Sequence, residues 1–242
     1  MCTVTFIPAK DRIFFTSNRD EKNWRSAAIP PASYEFGSGK ILFPKDVNAG
    51  GTWIAAHENG NVIVFLNGGF VAHTPEPPYR KSRGLILLDL ADHPTPYNCF
   101  VAINLNNIEP FTAIIYDNKH LFECRWDGKL KHMAELETSG KHIWSSCTLY
   151  SDEVIRKRRH WFERWLGEHP EPSQEQILHF HQFTGDGDSH NDLMMNRDGK
   201  VFTVSVTSVE LSAKGISMDY IDIGNQESFT EQLLFESSIA AR

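Results

Sequence analysis

The chain has 242 residues, of which 40% are hydrophobic and 12% aromatic, so we expect one sizeable core in a single domain over residues 1–242. Its formal net charge of -7 argues against a basic surface for nucleic acid. No stretch approaches the ~20 apolar residues that span a membrane, so we expect no transmembrane helix.

The N-terminus lacks the basic region, apolar run and small-residue cleavage site of a signal peptide, so we expect a cytoplasmic protein. Its cysteines are widely spaced, with no CxxC pair: Cys2, Cys99, Cys124 and Cys147. In a reducing compartment this spacing indicates free thiols rather than disulfides or a zinc site.

The first third of the sequence predicts β-hairpins followed by a helix. A turn at Lys10-Asp11 separates strands over 3–7 and 12–16, and Asn59-Gly60 joins strands over 52–56 and 62–66. Apolar residues at helical spacing follow a capping Ser82 and predict a helix to residue 91.

The rest of the sequence continues this alternation. Helices are predicted after Ser151, to about residue 166, and after Ser173, to about residue 183. Further strands are predicted over 100–104, 111–116, 121–126, 143–149, 193–196, 200–209 and 219–223. This number of strands is too large for one sheet, which favours two stacked antiparallel sheets with helices packed outside them.

The start of the chain, Met1-Cys2-Thr3, carries the first chemical signal. A small second residue permits removal of Met1, which leaves a thiol and a free α-amine on Cys2. The amine, with an ordinary pKa of ~7.7 to 8.0, can then act as the base that activates its own thiol. The alternative is that Cys2 is a small hydrophobic residue at the start of a strand.

Polar residues 17–21 follow the second predicted strand, whose hairpin brings them beside Cys2. Arg19 in that position would stabilise a thiolate or bind a substrate carboxylate, and Asp20 would accept a hydrogen bond from the α-ammonium. Because side chains alternate along a strand, both reach one site only if the strand bends or ends near Asn18, as the poor β-propensity of this segment predicts. The alternative is a solvated Arg–Asp pair at a strand exit.

These motifs together resemble the NRDE family, which includes transport and Golgi organisation protein 2. The resemblance rests on Met1-Cys2-Thr3 and Asn18-Arg19-Asp20-Glu21 and continues through Gly50-Gly51-Thr52-Trp53, Asn59-Gly60, Asn67 and Ser82-Arg83-Gly84, and more weakly at Ser145-Ser146 and 196–200. That family is similar to N-terminal-nucleophile hydrolases such as bile-salt hydrolase and penicillin V acylase. The resemblance implies an α+β fold, a four-layer αββα sandwich with mainly antiparallel sheets, which agrees with the two-sheet prediction.

The resemblance also implies roles for single residues. It makes Cys2 the nucleophile, places Arg19 and Asp20 beside it, and matches Asn67 to the Asn that helps to form an oxyanion hole. The alternative is that Asn67 is a turn residue, because it precedes two glycines. The ligand-binding candidates are Asn18, Ser146 and His190.

The sequence departs from the hydrolase pattern in two places. Ser146 stands where the hydrolases carry a second Asn, and the segment 186–190 contains no counterpart of their late Arg. One hypothesis is therefore a cysteine-dependent amidohydrolase that cleaves a linear C–N amide bond of a small molecule without a cofactor. The alternative is a non-catalytic carrier of a small molecule, with haem as candidate cargo held by Cys2 or a histidine. Removal of Met1 is required only by the first.

Two other polar segments are predicted to be structural. The segment 179–192 is rich in metal-ligand types, but a calcium loop would need Gly and Glu where Asn191 and Arg197 stand, so we expect a capping loop and no metal. His179 and His181 are two residues apart and point to different faces of their helix. The basic run 156–160 is predicted to be the solvated face of an amphipathic helix.

Overall fold

The computed structural model describes residues 3–235, so Cys2 lies outside the described residues. Two sheets form the centre of the molecule, and all strand pairs in both are antiparallel. The elements of the first sheet are β1 (Thr3–Ala9), β2 (Arg12–Lys22), β10 (His142–Ser145), β11 (Asn196–Arg197), β12 (Val201–Ser212), β13 (Gly215–Asp222) and β14 (Glu227–Leu234). The second sheet contains β3 (Ile29–Phe36), β4 (Gly39–Lys45), β5 (Ile54–His57), β6 (Val62–Asn67), β7 (Phe111–Asp117), β8 (His120–Trp126) and β9 (Lys131–Leu136).

The first sheet has the order β10-β1-β2-β12-β13-β14, with β11 beside β12, and the second runs from β3 to β9 in chain order. The helices are α1 (Arg83–Ala91), α2 (Pro96–Ala102), α3 (Asp152–Glu168) and α4 (Gln174–Phe183). Within residues 3–235, none of the helices combines the length and the apolar character that crossing a membrane requires.

Three apolar clusters order the layers. The largest lies between the sheets and joins Val4 and Phe15 of the first sheet to Val64 of the second. A second cluster packs α1 and α2 on the outer face of the second sheet, and a third packs Phe162 of α3 and Phe180 of α4 on the outer face of the first. The fold is therefore a four-layer αββα sandwich, and the predicted fold class is confirmed.

Sequence patterns predicted most elements, and the errors have physical causes. The turn at Lys10-Asp11, the Asn59-Gly60 hairpin and the helix capped by Ser82 are confirmed. The strand predicted over 100–104 is wrong, because Pro96 at the first turn starts α2 and buries Phe100. Strand β3 escaped prediction because it contains Pro30 and Pro31, which an edge strand tolerates.

Gly51 and Gly84 press the start of α1 against the segment before β5. A Cβ atom on residue 51 would lie 2.7 Å from the Leu85 backbone nitrogen and closer still to the Gly84 carbonyl carbon. On residue 84, a Cβ atom would lie 2.8 Å from the Thr52 carbonyl oxygen. The two backbones therefore touch only because both residues lack side chains.

Replacing Gly51 by alanine should destabilise the protein by about 1 to 3 kcal/mol, because the backbone of α1 cannot move away without disturbing its packing. Urea unfolding followed by circular dichroism measures the change. Gly167→Ala, at a helical site with nothing within 4 Å of the added atom, is the matched control and should leave stability unchanged or slightly raised. A Gly51→Ala protein as stable as the control would contradict this account of the contact.

Candidate functional site

The start of β1 lies in the interior of the first sheet. Thr3 pairs with Asn18 of β2 on one side and with Ser145 of β10 on the other. Side chains of β1 alternate, so Thr3 and Thr5 face the helices while Val4 faces the second sheet. Cys2, which is bonded to Thr3, therefore adjoins a strand that is paired on both edges.

The prediction that β2 bends or ends near Asn18 is wrong. The strand continues to Lys22 because β12 pairs with it along its whole length. A bulge in β12 between Thr203 and Ser205 lies opposite Arg19 and Asp20. These two side chains consequently leave β2 on opposite faces of the sheet, and each finds a different set of partners.

Arg19 points into the space between the sheets. It is buried, with 3% of its surface exposed, and donates a hydrogen bond of 2.8 Å to Asp46 Oδ2. Its guanidinium carbon lies 4.5 Å from the ring centroid of Trp53, which adds a cation–π contact. Arg25 also donates to Asp46 Oδ2, at 2.9 Å, so one carboxylate holds two cations.

The backbone before the Gly50-Gly51 motif fixes this carboxylate. Asp46 Oδ1 accepts hydrogen bonds of 3.0 and 2.8 Å from the amides of Asn48 and Ala49. Burial raises the pKa of Asp46, but the hydrogen bond from Ala49 and the charges of Arg25 and Arg19 outweigh it and hold the pKa below its ordinary value. Asp46 is therefore ionised and keeps Arg19 in place.

Asp20 points to the helical side of the sheet. Its Oδ2 accepts a hydrogen bond of 2.5 Å from the Tyr150 hydroxyl, and its Oδ1 accepts one of 2.6 Å from Thr203 Oγ1. Asp20 is 4% exposed. The pair predicted to share one site thus surrounds the start of β1 from both faces of the sheet.

A cleft of about 710 Å³ opens on the side that Arg19 faces. The described residues that carry charge along its wall are five Lys or Arg side chains and three Asp or Glu side chains: Arg19, Lys22, Arg25, Lys81, Arg83, Glu21, Asp46 and Glu109. In a chain of net charge -7 this local excess of cations favours a ligand with an anionic group. Trp53, Phe65 and Tyr79 add apolar surface for the rest of such a ligand.

Asn67 ends β6 and lines the same cleft as Arg19. Its backbone carbonyl accepts a hydrogen bond of 2.9 Å from Ser146 Oγ, which also bonds Thr148 Oγ1 at 2.9 Å. Ser146 is 1% exposed and does not line the cleft among the described residues. Its hydroxyl fixes the end of β6, whereas Asn67 lines the cleft.

Asn18 ties β2 to α4 and does not line the cleft. Its amide nitrogen donates to the carbonyls of His181 and Leu193, each at 3.0 Å, which leaves Oδ1 to accept from His181 Nδ1. His181 Nε2 then accepts the 2.8 Å bond from Thr5 Oγ1. Complete burial and the charge of Arg158 lower the pKa of His181 to about 3, so the imidazole is neutral.

His190 lies on an exposed loop away from the cleft. Its Nε2 is 3.3 Å from Asp198 Oδ1, and its amide bonds Asp188. Within the described residues, no group of three or more His, Cys, Asp or Glu side chains is arranged to hold a metal ion. His179 is exposed while His181 is buried, as their spacing predicts.

No sequence pattern identified Asp46 or Arg158 as a residue of the site. Asp46 belongs to the turn that leads into the Gly50-Gly51 motif. Its closeness to that motif in the sequence is the feature that could have identified it. Arg158 lies in the basic run, whose predicted solvation is wrong at this position because Arg158 is 0% exposed. Its signal was helical spacing, since it lies four residues before the buried Phe162.

The fold is that of the N-terminal-nucleophile amidohydrolases. The structure of the Caenorhabditis elegans ortholog of N-acylethanolamine-hydrolyzing acid amidase is similar to this one, with a TM-score of 0.50 and 9% sequence identity. The match covers 86% of this chain and 92% of that one. Two variants of the conjugated bile acid hydrolase from Clostridium perfringens are also similar. One, with a cysteine changed to alanine, has 12% identity, TM-score 0.50 and complete coverage of both chains. The other, with an arginine changed to leucine, has 11% identity and TM-score 0.54, with 99% and 100% covered.

The sequence assigns the chain more narrowly than the fold does. The profile of the Transport and Golgi organisation 2 family matches residues 1–214. The chain therefore belongs to the Transport and Golgi organisation 2 family. No curated protein sequence matches it significantly.

Proposed function

We propose that the protein is a cysteine-dependent amidohydrolase that cleaves a linear amide bond of a small molecule, with Cys2 as its N-terminal nucleophile. The observation that carries the proposal is the position of Thr3. A peptide bond holds Cys2 about 3.8 Å from it, Cα to Cα, and Thr3 pairs with the residue that precedes Arg19. Cys2 is therefore the residue before β1, and β1 pairs with the strand that carries Arg19. Arg19 and Asn67 both line the cleft.

The chemistry assigns one function to each group. With Met1 removed, the α-amine of Cys2 takes the thiol proton, and the sulfur attacks the amide carbonyl carbon. The Asn67 side-chain amide donates to the oxyanion. The C–N bond of the substrate then breaks, and the α-ammonium of Cys2 gives its proton to the departing substrate amine. Water then attacks the thioester and releases a carboxylic acid, which returns the thiol to its starting form.

Charged groups on both faces of the sheet support this mechanism. Arg19, held by Asp46, supplies positive charge on the cleft side, where a thiolate or a ligand carboxylate is stabilised. Asp20, held by Tyr150 and Thr203, is the acceptor for an α-ammonium on the other side. The titles of the similar structures name amide-hydrolysing enzymes, one of them altered at a cysteine, which is consistent with this class of reaction.

Cys2 should be the first thiol to react with iodoacetamide in the native protein. Cys124 should react last, since burial and Glu123 raise the pKa of its thiol to about 12. Burial also raises the pKa of Cys99 and Cys147, both partly exposed. Peptide mapping by mass spectrometry gives the order, and labelling of Cys99 or Cys147 ahead of Cys2 would contradict the proposed site.

Turnover is tested with a panel of amides that includes an N-acylethanolamine and a conjugated bile acid. The wild type should release the amine and form a transient acyl adduct on the Cys2 peptide, and Cys2→Ser should do neither. Intact mass shows whether Met1 is removed, since a retained Met1 blocks the amine and excludes the mechanism. Ligand binding by wild type and Cys2→Ser alike, without release of amine, would instead favour a carrier, of haem or another cargo. The internal use of the Ser146 hydroxyl is the observation that favours this alternative.

A further inference from the structure

A buried arginine lies directly beneath the start of β1. Arg158 of α3 is 0% exposed, and its Nη1 donates to Thr3 Oγ1. Its Nη2 donates to the carbonyls of Asn191 and Asp192, at 3.1 and 2.7 Å, and its guanidinium carbon lies 3.7 Å from the ring centroid of Tyr150. Every one of these partners is a neutral acceptor or a ring face.

Arg158 makes no ion pair with a carboxylate in residues 3–235. A buried cation without a counter-charge is unfavourable unless it stabilises negative charge nearby. The Tyr150 ring that it contacts is linked to a carboxylate, because the Tyr150 hydroxyl donates to Asp20. Thr3, which accepts from Arg158, is the residue bonded to Cys2.

The charged and titratable groups that surround this point come from four elements and one loop. The neutral His181 of α4 bonds Thr5, and the Arg197 guanidinium carbon lies 5.4 Å from the centroid of the Tyr150 ring. The set is Arg158, His181, Tyr150, Asp20, Arg19 and Arg197. Arg158 is the member of this set that touches the first described residue of β1.

We propose that Arg158 is a positioning residue for the N-terminal nucleophile. It fixes Thr3, and with it the entry to β1, and its charge favours the ionised form of the Cys2 thiol. This inference rests on the proposed function. It places a cation of the site on helix α3, whereas the resemblance to the hydrolases predicts a late Arg for which the segment 186–190 has no counterpart.

The test is the pH dependence of iodoacetamide labelling of Cys2 in the full-length protein. Arg158→Met should move the midpoint of the profile upward by about 1 pH unit, because a nearby positive charge is lost. Arg158→Lys, which keeps the charge, should restore most of the midpoint. Arg156→Met removes an exposed cation from the same helix and should reproduce the wild-type profile.

Thr3→Val separates a positioning effect from a folding defect. It removes the hydroxyl that accepts from Arg158, and it keeps the side-chain volume of residue 3 and the buried Arg158. It should slow labelling of Cys2 at every pH, and it serves as the deciding variant if Arg158→Met does not fold. A wild-type profile in folded Arg158→Met, or a wild-type rate in Thr3→Val, overturns the inference. If Cys2 is not the first thiol labelled in the wild type, the proposed function fails, whatever Arg158 does.

Discussion

Lowering the pH from 7.5 to 5 should destabilise the native protein by about 2 kcal/mol through His181 alone. Folding lowers the pKa of this imidazole from 6.5 to about 3, because it is completely buried and close to Arg158. Between these two values the unfolded chain binds a proton that the folded protein does not bind. The stabilising effect is therefore complete above pH 6.5 and is lost as the pH falls towards 3.

Urea unfolding at several pH values measures this slope. His181→Asn keeps a donor for Asn18 but removes the titrating ring, so it should lower stability at pH 7.5 and flatten the slope between pH 6.5 and 5. His179→Asn, an exposed histidine two residues earlier on α4, is the matched control and should keep the wild-type slope. Equal slopes in the wild type and His181→Asn would show that His181 does not carry the effect.

Asp46→Ala should destabilise the protein by about 3 to 5 kcal/mol, because it removes the closer of the two carboxylates paired with the buried Arg19; the other, Glu21, lies 3.4 Å away and is partly exposed. The substitution also removes the partner of Arg25 and the side-chain acceptor of two backbone amides in the turn. Asp89→Ala breaks a more exposed ion pair with Lys81 and should cost about 0 to 1 kcal/mol. Thermal and urea unfolding give both values.

A double-mutant cycle shows how much of the Asp46 effect comes from Arg19. Arg19→Met combined with Asp46→Ala removes both charges, so the pair should be less destabilised than the sum of the single variants. Additive values would mean that Asp46 acts through the turn and not through Arg19. Because the Asp46 pKa is lowered by folding, the contribution of its ionised form should be complete above pH 4 and fade below it.

The sequence predicted the layers well because hairpins and helix caps are local. Asn59-Gly60 needs only its own turn to specify a hairpin, and Ser82 and Ser173 cap their helices through atoms within a few residues. The length of β2 could not be read this way. Its polar end from Asn18 to Glu21 is unfavourable for a strand on its own, and pairing with β12, nearly two hundred residues later, extends the strand through it.

The candidate site divides in the same way. The sequence motif located Arg19 and Asp20, but their placement on opposite faces follows from the continued strand. Arg158 was hidden because a basic run carries no sign of which member is buried, and its partners are backbone carbonyls and the hydroxyl of Thr3. The sequence could not identify Asp46 because its role is to bind Arg19 and Arg25, and only the tertiary fold brings these two residues to it.

The contact between Gly51 and Gly84 has a consequence for inherited variation. The backbone of Gly84 and Leu85 blocks a side chain at residue 51, and the backbone of Thr52 blocks one at residue 84, so neither position can change without a loss of stability. Missense alleles at these codons should therefore lower the steady-state abundance of the protein. Such alleles would be partly rescued by lower growth temperature, whereas alleles at a nucleophile would not.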